Sequence, residues 1–403
     1  MRIKFCFPLF VPLLLGVPSQ ILGITIPFNC GGKIPLQTAI DLAPPGTTLA
    51  LSGTCSGPLV INRSNLTLES RSGAVIDGGK KDAIAINGAA NVTLDGLEIR
   101  NGVSGILANN GAHLNVINSN VHDNAATGIQ LVGNSSVTLS GGSTKKNAVN
   151  GLDAEGSSAV VVSGSYTAEA NAVFGLNING ASSLTLTDAN LMVDGNTLGI
   201  QIGTSASAFI SDSKTKLTVM NNLTTGLTIV SGSHMVAFGG TISATGNGVH
   251  GVSVDSKAGL DLDAAAVLTS TGNTQDGVHL EETSVLTMFN TPSFSGAPGT
   301  TTLNVSDNGA NGVSVLTGSG LTIIHQAMLN STANKGFGVF ADNGSSITLI
   351  QSAVTGNAVK DLSLTFGSRA DLTTPPDQMP NNIGIIACDG SALIRGAAVT
   401  CPR

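Results

Sequence analysis

His250, Asp276, His279 and Glu281 have the residue types and the spacing for acid/base chemistry. His250 and Asp276 each stand immediately before a glycine in successive repeats, and His279 and Glu281 follow the second glycine at alternate positions. A histidine titrates near neutrality and an adjacent carboxylate orients it, so these four are the candidate catalytic residues. Asp255 and Glu281 occupy the same place in neighbouring repeats, about 5 Å apart by strand spacing, near the separation of a retaining glycosidase pair. The same two carboxylates are the candidate metal ligands. Calcium wants six to eight oxygens and few are offered, so no cofactor is expected, with calcium the alternative. A plainer reading competes with both: Asp276 pairs with His250, and Lys257 neutralises Glu281 or Glu282 at a solvated surface.

The element that would position these residues is a repeat. A glycine followed by an aliphatic residue recurs at Gly105, Gly128, Gly151, Gly175, Gly199, Gly226, Gly251, Gly277, Gly312 and Gly338. The spacings are 23, 23, 24, 24, 27, 25, 26, 35 and 26 residues, a period that stretches where loops differ. Nine residues after the glycine a second apolar alternation begins, as in Val137-Thr138-Leu139 and Leu184-Thr185-Leu186. Period two marks strands with one buried face. Four residues before the glycine stands Asn101, Asn124, Asn147, Asn171, Asn222, Asn247, Asn273, Asn308 or Asn334, with Gly195 in the Gly199 repeat. Asn and Gly both tolerate the left-handed region, so this column reads as a tight corner with stacked side chains bonding from coil to coil. Side chains two and four places after each glycine, and the one just before it, point outward, which gathers His250, Asp255, Asp276, His279 and Glu281 on one face.

These features resemble the pectin-lyase-like superfamily of right-handed parallel β-helices, over about residues 33 to 372. The resemblance implies an all-β solenoid, here of about 12 coils, with a short amphipathic helix over Pro35 to Ala43 sealing its first edge. The expected organisation is a signal peptide over 1–23, cleaved after Ser19 or Gly23, then an N-terminal cap over 24–48. The β-helix follows over 49–372 and a C-terminal cap over 373–403. Stacked coils about 4.8 Å apart keep the two chain ends some 45–60 Å from one another. A disulfide cannot span that distance, so Cys30 pairs with Cys55 and Cys388 with Cys401.

Polygalacturonases of this superfamily carry Asn-Thr-Asp-Gly, Asp-Asp, Gly-His-Gly and Arg-Ile-Lys in order. Here Asn273-Thr274-Gln275-Asp276-Gly277 has an extra residue, His250-Gly251 precedes it, and Arg-Ile-Lys occurs only at Arg2-Ile3-Lys4. No Arg occurs between Arg100 and Arg369, which removes the usual lyase base and clamp from the central coils. The insertion around Phe289 to Thr301 must leave the coil after its second strand, away from the His250 face.

Composition narrows the partners. A net charge of −7 repels phosphate backbones, which argues against nucleic acid. Aromatics are 3% with no Trp, which argues against a ring-lined sugar cleft. The reading that follows is an exported, monomeric, non-catalytic scaffold at the cell surface or in the extracellular or periplasmic space, without a membrane span once processed. Its possible partner is a polysaccharide. The alternative is a polysaccharide lyase, hydrolase or epimerase working at the outer face of the first strand.

Overall fold

A computed structural model describes residues 23–291, 299–376, 378–397 and 401. The segment read as a signal peptide lies outside them up to residue 22. Successive coils add parallel strands to long ladders, giving a β-helix. The strand after each glycine forms a 14-stranded sheet running from Leu59–Ile61 to Ile386–Cys388. The remaining strands join in a 26-stranded sheet that covers the other two sides. In four coils they are single bent strands: His113–His122, Ser136–Lys145, Ala159–Glu169 and Ser183–Asp194.

Fourteen first strands exceed the expected dozen coils because the outer coils lack the glycine signal. Register places Pro58, Ala83, Asp361 and Ile385 where the glycine would be. The ladders also continue past Leu372: Asn382–Ile383, Ile386–Cys388 and Leu393–Arg395 each pair with the preceding coil. A third strand per coil, such as Lys216–Met220, Thr241–Thr245 and Val267–Thr271, has no signature as regular as the other two.

Hydrophobic burial closes each coil. Ile106, Ile129, Leu152, Leu176, Ile200, Leu227, Val252 and Val278 stack in one file and are completely or almost completely buried. The glycine column owes its identity to close approach. A Cβ on Gly251 would sit 2.6 Å from Asn273 Nδ2 and 2.8 Å from the Gly277 carbonyl, so any larger residue would push the coils apart. The helix Leu36–Leu42 lays Leu36 and Ile40 on the first coil.

The asparagine column is a continuous buried ladder, with two corrections. In the Gly199 coil the member is Asn196, not Gly195: Asn171 donates to its Oδ1 and Asn196 donates to Asn222. Asn101 is not a member; it is exposed, and its amide donates to Asp77. The left-handed residue is the one before each ladder asparagine, as at Asp123, Ala170, Gly195, Gly246 and Gly272, and Asn101 is such a residue with φ 57. The ladder asparagines therefore sit one place beyond the strained position. They are selected for their amide, which links each coil to the next, and not for backbone tolerance. Asn357 adds a rung beyond the expected end.

Cys30–Cys55 and Cys388–Cys401 are the two disulfides, one at each end of the solenoid. Among the described residues no helix is long and apolar enough to cross a membrane.

Candidate functional site

The first-strand sheet points alternate side chains outward, and its register brings His250, Asp276, His279 and Glu281 together. His250 and Asp276 hold equivalent places just before Gly251 and Gly277, where the Gly251 N–H donates to the Asp276 carbonyl. His279 lies in strand Val278–Leu280, flanked along the ladder by the small residues Ser253 and Ser314. That gap lets the His250 ring stack on His279, with centroids 4.2 Å apart and planes at 24°. Asp276 Oδ2 is 2.9 Å from His279 Nδ1 and 3.6 Å from His250 Nδ1. Glu281 Oε2 meets the other ring nitrogen, His279 Nε2, at 3.3 Å. The Asn311 N–H donates to Asp276 Oδ1 at 2.9 Å, so both carboxylate oxygens are held.

Electrostatics set the two histidines apart. Burial, then the charge of His279, pushes His250 down to about 4, against the pull of Asp276. Burial also works against protonation of His279, but the hydrogen bonds its ring donates to Asp276 and Glu281, and the charges of both carboxylates, outweigh it and raise its pKa. Burial would raise Asp276, yet the His279 bond, the Asn311 N–H and the nearby imidazoles hold it below the usual carboxylate range. At neutral pH the cluster is thus a neutral His250 and an ionised Asp276, with His279 held more basic than a free imidazole.

These shifts carry a stability signature. His250 takes up protons in the unfolded chain from about pH 6.5 downward but in the folded chain only near 4, so folding weakens as pH falls through that window. Its full cost is on the order of 3 kcal/mol. His279 works the other way: its contribution is complete below its unfolded value and is lost as pH rises through its folded one. The Asp276 contribution survives until pH falls through its depressed folded value. Replacing His250 with Asn should make the loss of thermal midpoint between pH 6.5 and 4 shallower than in the unaltered protein. Parallel curves for the two proteins would refute this assignment.

Asp255 does not join the cluster. It succeeds Val254, whose ladder partner Leu280 precedes Glu281, so the two carboxylates are ladder neighbours as expected. Asp255, however, is approached by the Ser256 hydroxyl, which also reaches Glu282. The His/Asp/Glu residues whose ligand atoms converge are instead His250, Asp276 and His279, all within 4.8 Å of one another. No ion pair of Lys257 occurs among the described residues.

Three further groups received no functional role from the sequence, although Asp153, Glu155, Asn177 and Gln201 stand in its outward columns. Asp153 shares the outward column of His279, five coil steps earlier, or about 24 Å. Burial and then the charge of Glu155 push its carboxyl up to about 6, against hydrogen bonds from Asn177 and Asn150. Its amide partners extend along the face: Asn177 donates to Asp153 at 2.8 Å, and Gln201 donates to Asn177 at 3.2 Å. Phe340 lies in the same column two steps beyond His279 and stacks with Phe337, centroids 5.2 Å apart. A third group, Glu98, Arg100, His122 and Asp123, lies on the other sheet and is internally paired, with Arg100–Glu98 at 2.7 Å and His122–Asp123 at 2.6 Å. An outward acidic residue paired with another two places on, as in Asp153 and Glu155, was the one available signal.

The sequence model of the family described as "Right handed beta helix region" matches residues 59–222. The chain folds as a right-handed parallel β-helix, the architecture that this family description names. No curated protein sequence matches it significantly. Similar solved structures include an alginate lyase from Paenibacillus sp. str. FPU-7, at 14% identity and TM-score 0.45, covering 66% of this chain and 94% of that one. The A-modules of the Azotobacter vinelandii mannuronan C-5 epimerases AlgE6 and AlgE4 are 14% and 15% identical, with TM-scores of 0.45 and 0.43. Each covers 91% of this chain, and 94% and 93% of the epimerase modules are covered in turn.

Proposed function

We propose that this β-helix is a polysaccharide-active enzyme whose acid/base centre is the Asp276–His279–Glu281 series on the outer face of the first-strand sheet. One observation carries the reading: His279 is held at both ring nitrogens by carboxylates, at 2.9 and 3.3 Å, on a face open to solvent. Asp276 orients the imidazole and favours its protonated form, as an orienting carboxylate does in any histidine acid/base pair. Nε2 and the exposed Glu281 carboxylate are the groups within reach of a bound chain. One gives a proton and the other takes one.

The surroundings support a polyhydroxyl ligand. The straight outward column offers amides and hydroxyls at Asn177, Gln201, Thr228 and Ser253 before His279, and the Phe337–Phe340 pair as an apolar platform beyond it. None of the outward residues named from Asn177 to Glu281 is a lysine or arginine, which favours a neutral chain over a densely charged one. Two disulfides favour an oxidising compartment and therefore export.

The purified protein, incubated with a panel of neutral and acidic polysaccharides, should release reducing ends or unsaturated products, or change sugar configuration by NMR, on at least one of them. Binding without turnover would return the protein to the class of non-catalytic scaffolds, and neither binding nor turnover would sink the polysaccharide reading altogether.

A further inference from the structure

We propose that His250, Asp276 and His279 form a binding site for a divalent transition-metal ion of the zinc type. The inference concerns the same Asp276 and His279 as the enzymatic reading but does not rest on it, because it depends only on where the ligand atoms lie. Two imidazoles and one carboxylate are the donor set that zinc, cobalt and nickel take, whereas calcium and magnesium would seek oxygens this site does not offer. Among the described residues this is the one group of three such side chains whose ligand atoms converge.

Two of the three ligand-atom separations suit an ion, and the third, His250 to His279, lies within 4.8 Å. Bonds of about 2.0–2.1 Å in a tetrahedron place ligand atoms about 3.3 Å apart. Asp276 Oδ2 lies 2.9 Å from His279 Nδ1 and 3.6 Å from His250 Nδ1, on either side of that value. His250 Nδ1 accepts a 3.4 Å bond from the Asp276 N–H, so it already bears a lone pair and gives up little by turning to a metal. The two rings are nearly parallel, so His250 must rotate about its Cβ–Cγ bond to aim that lone pair at a shared ion. This torsion is soft.

The outer shell is also present. Metal-bound histidines generally donate their second ring N–H to a carboxylate, which fixes the tautomer and strengthens the ligand. Glu281 Oε2 stands in that role against His279 Nε2 at 3.3 Å. The Asn311 N–H holds Asp276 Oδ1 and leaves Oδ2 for the ion. His250 and His279 are each about one-seventh exposed, so an ion can reach the site from solvent. An ion there takes the place of the proton shared by Asp276 and His279.

The test uses untagged full-length protein, treated with chelator, dialysed, and titrated calorimetrically with zinc chloride. The expected result is one ion per chain, with cobalt giving the intense visible absorption of a tetrahedral site. Glu281→Gln changes an exposed side chain and keeps all three ligands, so it should fold normally and bind zinc about 10–100-fold more weakly. His250→Ala should abolish stoichiometric binding, while His234→Ala, at a histidine on another face, should leave it unchanged. Absence of one-to-one binding would overturn the proposal. So would equal affinity in the Glu281→Gln and His250→Ala proteins, or loss of binding in His234→Ala with circular dichroism unchanged.

Discussion

Asp276→Asn should lower turnover of the responsive polysaccharide by about 10²–10⁴-fold while leaving the β-helix folded. The carboxylate accepts two donors on its two oxygens, His279 Nδ1–H and the Asn311 N–H. An amide has a single oxygen, so the two donors compete for it and the remaining NH2 faces a second donor. His279 then loses the negative charge that favours its imidazolium and the bond that selects its tautomer. Its pKa should fall, and the limb of the pH–rate profile assigned to the acid should move toward lower pH. Asp255→Asn, which removes a carboxylate outside the cluster, should leave the rate close to that of the unaltered protein. Equal activity in Asp276→Asn would mean that the His250 cluster only holds adjacent coils together, and a comparable loss in Asp255→Asn would move the centre to the Asp255–Glu281 pair.

Asn247→Leu should destabilise the solenoid by about 2–4 kcal/mol, an effect larger than that of most single substitutions. Asn247 Oδ1 accepts from both the backbone N–H and the side-chain amide of Asn222, at 3.1 and 3.0 Å. Its Nδ2 donates to Asn273 Oδ1 at 3.0 Å and to the Val219 carbonyl at 3.3 Å. Leucine leaves the Asn222 N–H without an acceptor in a place no water reaches, and puts branched methyls against Gly226, where no Cβ fits. Asn101→Gly, at the left-handed position of an early coil, should change stability by no more than about 0.5 kcal/mol, since glycine adopts that backbone freely and the side chain is exposed. Chemical denaturation should therefore separate the two variants clearly. A large loss for Asn101→Gly and none for Asn247→Leu would mean that the backbone corner, and not the amide ladder, is what the column preserves.

By itself the sequence determined the architecture. A glycine that no Cβ can replace, an asparagine whose amide reaches the next coil and an apolar alternation on each strand must recur once per turn, because each turn meets the same neighbour. Periodicity therefore reveals the solenoid, the outward face and the two disulfides that its length permits. It also placed His250, Asp276, His279 and Glu281 on one surface. Tertiary structure decided what a period cannot resolve. A one-residue slip puts Asn196 and not Gly195 in the ladder and leaves Asn101 out of it, because the backbone turn precedes the amide by one place. Coils closed by Pro58, Ala83, Asp361 and Ile385 complete the ladder without the glycine mark. The raised carboxyl of Asp153 and the opposed pKa shifts of His250 and His279 depend on burial and on Glu155, Asp276 and Glu281 acting within a coil. They depend as well on His279, Asp276 and Asn177, which act on His250 and Asp153 from adjacent coils. Those neighbours are two dozen or more residues away along the chain, and only stacking at strand spacing makes them adjacent.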